Sequence, residues 1–253
     1  MLRRQEHSDG LLELRLDRPP ANALTTELLA DLRRLLGEAI DEGAQGIVLS
    51  GRPGMFSAGL DVPRLLALDR AGIEELWRGF LALLAALAQC PVPISAAITG
   101  HAPAGGAVMA LFCDERVMAA GDFRIGLNEV AVGIALPREL FAPLARLVGH
   151  RQAERLGVGG LMVPASEALR LGFVDELAPV EAVVERSLDR LRALLALPRG
   201  PMLATRAMFR ADLAAGLDSA RVVHSLVAQW FSDDTQGALR HLVDRLRRPG
   251  KES

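Results

Sequence analysis

Apolar and polar residues alternate through Leu12, Glu13, Leu14, Arg15 and Leu16, the two-residue period of a half-buried strand. After "PPANALTT" the period lengthens. Leu28, Leu32, Leu35, Leu36 and Ala39 fall on one helical face, with Thr25 or Thr26 placed to cap it and Glu27 in its first turn. "GIVLS" (46–50) is an almost wholly apolar run, the pattern of a strand covered on both faces. A helix is expected from about Gly72 to Ala88, then a second buried strand in "VPISAAITG". A glycine turn in "HAPAGG", a hydrophobic helix in "AVMALFC" and a third strand in "ERVMAA" follow. Strands alternating with helices predict parallel βαβ units and an α/β core. Beyond Pro137 the pattern is nearly all helical, punctuated by Pro198 and Pro201. The inner faces of that tail are too apolar for a linker, so it is expected to pack on the core or on another subunit.

Composition narrows the function classes. The chain has 253 residues, half of them hydrophobic, which is enough for one sizeable core. A formal net charge of -2 gives no global electrostatic case for nucleic acid. The late basic cluster "RHLVDRLRRPGK" is interrupted by Asp244 and reads as a solvated helix end. Cys90 and Cys113 lack metal-ligand spacing and read as small buried hydrophobes of a reducing compartment. The five histidines form no HxH or HxxxH pair, so no metal site is expected. The N-terminus has no apolar signal region, and "FLALLAALA" is too short to span a bilayer. A soluble, cytoplasmic protein is the expectation.

Candidate chemistry gathers in three stretches. "MFSAGLD" (55–61) and "GHAPAGGAV" (100–108) each follow a buried strand and open a helix, where ligands collect in open α/β sheets. Each could cradle a phosphate, form an oxyanion hole of converging backbone N–H groups, or use glycine for turn geometry alone. No P-loop ending, dinucleotide fingerprint or GxSxG elbow is present. His101 reads as a capping or packed residue, Asp61 as a helix N-terminal charge, and Glu139 as the same, with a distant claim to acid/base work. The third stretch is "RIGLNEVAVG" (124–133). Glu129 stands there among Ile125, Leu127, Val130 and Val132, with only Arg124 as a nearby cation. It is either on the wet side of a loop or a carboxylate in an apolar pocket, where burial would raise its proton affinity toward neutral pH. Asn128 beside it is a turn residue bonding its own backbone or a group that orients the loop or a ligand.

Taken together and in this order, "MFSAGLD", "GHAPAGGAVMALFCD" and "RIGLNEVAVGI" resemble the crotonase (enoyl-CoA hydratase/isomerase) superfamily. The similarity extends from "RPPANALT" through "AERLGVGGLMVPASEALRLGFVDELAP" to "LRHLVDRLRR". "FSAGLD", "PAGG" and "GLNE" look most similar to the mitochondrial-type Δ3,Δ2-enoyl-CoA isomerases within it.

The resemblance implies an α/β fold, a crotonase-like spiral of ββα units over residues 1–195, and a helical oligomerisation and lid region over 196–253. It implies an acyl-CoA substrate, no separate cofactor because CoA belongs to the substrate, and a homotrimer or hexamer. The net charge of -2 and the lack of a clear basic stripe count against nucleic acid as a partner, and the shortness of the apolar runs against a membrane. Carried over by position, the N–H groups of Ala58 and Gly105 would form the oxyanion hole and Glu129 would be the catalytic base. Ala23, Ala58, Gly59, Leu60, Asp61, Val62 and Asn128 would line the substrate cleft. The hydratases of the superfamily carry a second glutamate three residues after the oxyanion glycine, and this chain has Val108 there. A single glutamate suits double-bond migration from C3 to C2 of a fatty enoyl-CoA better than addition of water. Other acyl-CoA chemistry on the same fold, and a non-catalytic acyl-CoA binder or assembly subunit, are the alternatives.

Overall fold

The computed structural model describes residues 1–246. Strands β1 (Leu2–Glu6) and β2 (Leu11–Leu16) lead into helix α1 (Thr26–Asp41). Thr25 is its N-cap, the hydroxyl accepting from the Leu28 N–H at 3.3 Å, a contact of about 1 kcal/mol. Then come β3 (Gly46–Ser50), β4 (Gly54–Met55), α2 (Val62–Leu65) and α3 (Arg70–Gln89). The next turn of chain is β5 (Ile94–Ile98), β6 (Gly100–Pro103) and α4 (Gly105–Leu111), and the next is β7 (Glu115–Ala119) and β8 (Arg124–Gly126). A 3-10 turn at Glu129–Val132 precedes α5 (Arg138–Val148) and α6 (His150–Val158). The chain continues through β9 (Val163–Pro164), α7 (Ala165–Leu171), β10 (Glu176–Ala178) and α8 (Val183–Leu195), and closes with α9 (Arg199–Arg210), α10 (Ala220–Trp230) and α11 (Asp233–Leu246).

The strands form a six-stranded sheet, β1-β2-β3-β5-β7-β10, and a four-stranded sheet, β4-β6-β8-β9. Each of the pairs β3/β4, β5/β6 and β7/β8 contributes one strand to each sheet, so the chain climbs as a spiral. From β2 to β10 the large sheet is parallel; β1 is antiparallel to β2. Leu12, Leu14, Ile47, Leu49, Ile94 and Ala96 belong to the larger core, with α1 and α3. Leu11, Val48, Ala97 and Val117 face α8 in a second one. Both faces are therefore covered, which is why "GIVLS" carries no alternation.

Four local expectations are corrected. β2 is buried on both sides, not half-buried: α8 covers the second face, and Glu13, 5% exposed, is satisfied by the Ser50 hydroxyl with His7 Nε2 3.5 Å away. The N-terminal stretch forms β1, invisible to periodicity because this edge strand leaves Arg3, Arg4, Gln5 and Glu6 exposed. "GHAP" is a strand, β6, and the turn shrinks to Ala104, so α4 starts and ends two residues earlier than expected. Two short strands, β9 and β10, interrupt the region expected to be nearly all helical. Each is only two or three residues long, too short for a period to register.

The helical tail packs back on its own chain: α10 on α3, and α11 on α2 and on the 129–132 turn. Arg206 and Arg210 of α9 bind Asp114, and Arg210 also donates to the carbonyls of Leu87, Ala88 and Phe112, the closing turns of α3 and α4. The end of the basic cluster, from residue 247, lies outside the described residues. Both cysteines are free and buried, and burial pushes the Cys113 thiol up to about 12. No described helix is long and apolar enough to cross a membrane.

Candidate active site

Three parallel strand ends build the site. In the four-stranded sheet β4, β6 and β8 run side by side, with Met55 opposite His101 and Pro103 opposite Gly126. Their C-terminal ends therefore release residues 56–62, 104–108 and 127–133 at a single edge, the place an α/β sheet offers to ligands. Backbone bonds continue the pairing past the strands: Phe56 N–H to His101 O at 3.0 Å and Ala104 N–H to Gly126 O at 2.9 Å.

The two glycine turns touch each other. A methyl group on Gly59 (φ +79°) would stand 3.0 Å from the Gly105 nitrogen, and one on Gly106 would stand 2.4 Å from the Ser57 carbonyl oxygen. Ala104, between strand and helix, holds φ 46° and ψ -123°, a strained geometry for a residue with a side chain. It turns the chain so that the Gly105 N–H leads α4, outside that helix's own hydrogen-bond ladder.

The expected partner of Gly105 is corrected. The Ala58 N–H donates to the Ala21 carbonyl at 2.9 Å and is not free to meet a ligand. Leu24 pairs as a parallel bridge with Leu60, taking the Gly59 carbonyl on its N–H and giving its own carbonyl to the Asp61 N–H. Strand alternation then directs the Leu60 N–H to the opposite side, away from Leu24. Leu60 was expected as a lining residue; its backbone is the better donor, a distinction of register that glycine spacing does not reveal.

The rest of the "ANAL" segment fastens this turn. Asn22 is fully buried at φ 51° and donates from Nδ2 to the carbonyls of Met55 (3.1 Å) and Phe56 (3.0 Å), while its Oδ1 accepts from the Arg18 N–H. Sequence reasoning did not single it out, and a lone asparagine between alanines after two prolines carries no periodic signal. Arg18 also bridges the Ala23 carbonyl and the Asp61 carboxylate, the latter at 2.6 Å. Asp61 caps α2 through the Arg64 N–H, as its position before a helix suggested, and its carboxylate is committed to these contacts. Val62, 8% exposed, begins α2. Phe80 of α3 walls the other side, its Cζ 3.6 Å from where a Gly105 side chain would begin.

Glu129 opens the 3-10 turn and is 7% exposed. Its Oε2 is shielded from solvent and has no hydrogen-bond partner among the described residues. Burial pushes the carboxyl up to about 7, opposed only by its own backbone N–H. The apolar-pocket reading therefore holds and the wet-loop reading does not. Asn128 makes no capping bond and its Oδ1 is likewise shielded and unpartnered, so it is not bonding its own turn. Val108 is fully buried on α4. Glu139 lies against Gly216 and pairs with Arg221 at 3.5 Å, at the connection from α9 to α10. His101 packs edge-on to Phe123 and its Nδ1 accepts from the Arg124 N–H. No cluster of metal ligands occurs among the described residues.

The family model described as enoyl-CoA hydratase/isomerase matches residues 6–238. The chain belongs to the enoyl-CoA hydratase/isomerase family. Among its relatives, "Enoyl-CoA delta isomerase 1, mitochondrial" of Homo sapiens is 35% identical over 243 residues, covering 94% of this chain and 80% of that protein. "Probable enoyl-CoA hydratase echA17" of Mycobacterium avium is 34% identical over 202 residues, 78% of this chain and 77% of that protein. The crystal structure of human mitochondrial delta3-delta2-enoyl-CoA isomerase superposes with a TM-score of 0.92 at 33% identity, covering 97% of this chain and 98% of that one. The spiral of two sheets described above is the crotonase fold of this family.

Proposed function

We propose that this protein is a Δ3,Δ2-enoyl-CoA isomerase acting on fatty enoyl-CoA thioesters. The observation that carries the reading is Glu129: one buried carboxylate, its Oε2 without a partner among the described residues, at the sheet edge that also delivers the glycine turns, with Val108 where a hydratase has its second glutamate. The Leu60 and Gly105 N–H groups receive the thioester oxygen. Ionised Glu129 removes a proton from C2; the C–H electron pair moves into a dienolate whose oxyanion those donors stabilise, each by about 3 kcal/mol. The neutral carboxyl then returns its proton to C4, leaving the double bond at C2. Phe80 and the surrounding apolar walls keep out water that would compete for the dienolate.

The same reading carries the finer expectations. CoA is the substrate's own handle, so no cofactor is required. The division into a core to residue 195 and a helical region from 196, and a homotrimer or hexamer, belong to the proposal; Met208 and Phe209 of α9 are exposed apolar side chains that such an assembly would cover. A cytoplasmic setting suits the free thiols, although the mammalian relatives bear "mitochondrial" in their names. The hydratase-named relatives favour a second reading, residual hydration of 2-enoyl-CoA. The valine at 108 and the engagement of Glu139 with Arg221 weigh against it.

The test is a paired assay on a 3-enoyl-CoA and a 2-enoyl-CoA, following the conjugated thioester's absorbance, with Glu129→Gln as control. Growth on the first and silence in the variant support isomerisation. Loss on the second indicates hydration, and no change in either leaves a non-catalytic acyl-CoA binder.

A further inference from the structure

The segment that follows Glu129 is gripped from outside its own unit of the fold. Ile134 N–H returns to the Glu129 carbonyl at 2.9 Å, closing the turn on itself. Immediately beyond, the Ala135 N–H donates to Gln229 Oε1 at 2.8 Å, from the last turn of α10. The Thr235 hydroxyl, from the first turn of α11, donates to the Gly133 carbonyl and accepts from the Ser232 hydroxyl at 3.1 Å. Gly133 (φ +79°) lies so close that a methyl group there would stand 2.9 Å from Thr235 Cα. The α10–α11 corner is itself fixed: Ser232 Oγ accepts from the Thr235 N–H, and Arg70 at the head of α3 sits 5.1 Å over the Phe231 ring. Thr235 is 1% exposed.

We infer that Gln229 and Thr235 are positioning residues for Glu129, a two-point clamp by which the C-terminal helical pair sets where the carboxylate stands. This rests on the isomerase reading. Apart from its own backbone bonds and its packing against α6 and α11, the turn at 129–132 has little else to hold it. Asn128 supplies no cap, the glutamate side chain makes no hydrogen bond through Oε2, and Val130 is half exposed. Two side-chain hydrogen bonds, four and six residues after the base, are therefore what ties this segment down from outside, and both come from elements more than ninety residues away in the chain. A base that must reach both C2 and C4 needs its position fixed more than its affinity tuned. Holding the turn down also keeps the pocket dry. His150, Arg151, Glu154 and Arg155 on α6, and Asp233, Asp234, Arg240, His241, Asp244 and Arg245 on α11, are the charged or titratable groups on the helices packed against this turn, and none of them contributes to the carboxyl's elevated proton affinity.

The experiment uses the full-length protein with a 3-enoyl-CoA. Gln229→Met and Thr235→Val remove the acceptor and the hydroxyl at nearly constant shape; Gln229→Glu and Thr235→Ser restore them. Removal is expected to lower kcat about 10- to 100-fold, the cost of a small misplacement of a reacting group, with KM unchanged. The acidic limb of the pH–rate profile should move to lower pH as water reaches the carboxyl, and the restoring pair should recover both. A kcat and an acidic limb unchanged in folded Gln229→Met would overturn the clamp; this partly exposed bond can be lost without unfolding the chain. If instead Glu129→Gln keeps full activity, it is the isomerase reading that has failed.

Discussion

The Ala104 N–H, one residue beyond the last paired position of β6, and the carbonyl of Gly126, the last paired residue of β8, are joined at 2.9 Å. That bond locks the turn carrying Gly105 to the one carrying Glu129. Backbone pairing, not side-chain contact, therefore sets the distance between Gly105 and Glu129, the proposed oxyanion donor and the proposed base. The carboxylate can then be left without a cation or a side-chain partner among the described residues, which its proposed chemistry requires and its stability does not favour.

The cost should be measurable as pH dependence. The carboxyl of Glu129 has an ordinary value of 4.5 and is pushed to about 7 by burial. Below about pH 4.5 it is neutral folded or unfolded and contributes no penalty. As pH rises to 7 and above, the unfolded chain ionises freely while the folded one must bury the charge, so stability is lost. Denaturant titrations should show Glu129→Gln matching the parent near pH 4 and exceeding it by about 3 kcal/mol at pH 8. Catalysis runs the other way. The base must be ionised, so kcat/KM should rise through an apparent value near 7 instead of near 4.5.

Hydration offers a second check. Adding water needs a positioned nucleophile and a proton donor, and one of the two carboxylates is replaced by buried Val108. Turnover of a 2-enoyl-CoA should fall about 10²- to 10⁴-fold below isomerisation, the range attributed to one acid/base group. Comparable rates on both substrates would contradict the single-base mechanism.

Gly106 tests the contact between the two turns. A methyl group there meets the Ser57 carbonyl oxygen at 2.4 Å and its carbon at 3.2 Å, both backbone atoms that cannot rotate away. At Gly105 the nearest atom is the Leu24 Cδ1, at 3.1 Å, the end of a flexible side chain. Gly106→Ala is therefore expected to lose about 1–3 kcal/mol in chemical denaturation and to depress kcat. Gly105→Ala should cost less stability. The reverse order would mean that the turns do not approach as described.

How much of this was legible in the sequence depends on how local the signal is. Helix α1 and strand β3 follow from local pattern alone, since α1 buries one regular face and β3 is an apolar run buried on both. The glycine turns could be located but not interpreted: deciding between Ala58 and Leu60 requires knowing which carbonyls Ala21 and Leu24 offer, and nothing periodic encodes that. Glu129 stood out as a charge among Ile125, Leu127, Val130 and Val132, but the pattern alone left a wet loop as open as an apolar pocket, and only its burial decides between them. Gln229 and Thr235 left no trace, being ordinary polar residues on amphipathic helices whose partners lie far back in the chain. Short strands such as β9 and β10 exist only because neighbours supply their hydrogen bonds.

Asn22 provides the last prediction. Its amide satisfies two otherwise buried carbonyls, Met55 and Phe56, and the Arg18 N–H, and its carbonyl accepts the Ser57 hydroxyl. It also holds φ 51°, which asparagine tolerates better than most residues. Asn22→Ala removes the side-chain bonds and leaves three polar groups unpaired, at about 1–3 kcal/mol each before relaxation. A net loss of about 3 kcal/mol is expected, with a fall in kcat because the turn bearing Leu60 is no longer fastened. Asn22→Asp keeps the acceptor but turns a carboxylate toward two carbonyl oxygens. At pH 7 it should be the more damaging change. Those oxygens favour the protonated acid, which can donate to one of them, so the folded state raises that group's proton affinity. Its stability should therefore recover as pH falls toward 4, while that of the alanine variant, which has no such group to titrate, should not. Thermal melts of both variants across that range would distinguish a hydrogen-bonding role from a merely space-filling one, since a space-filling asparagine would make the two substitutions alike at every pH.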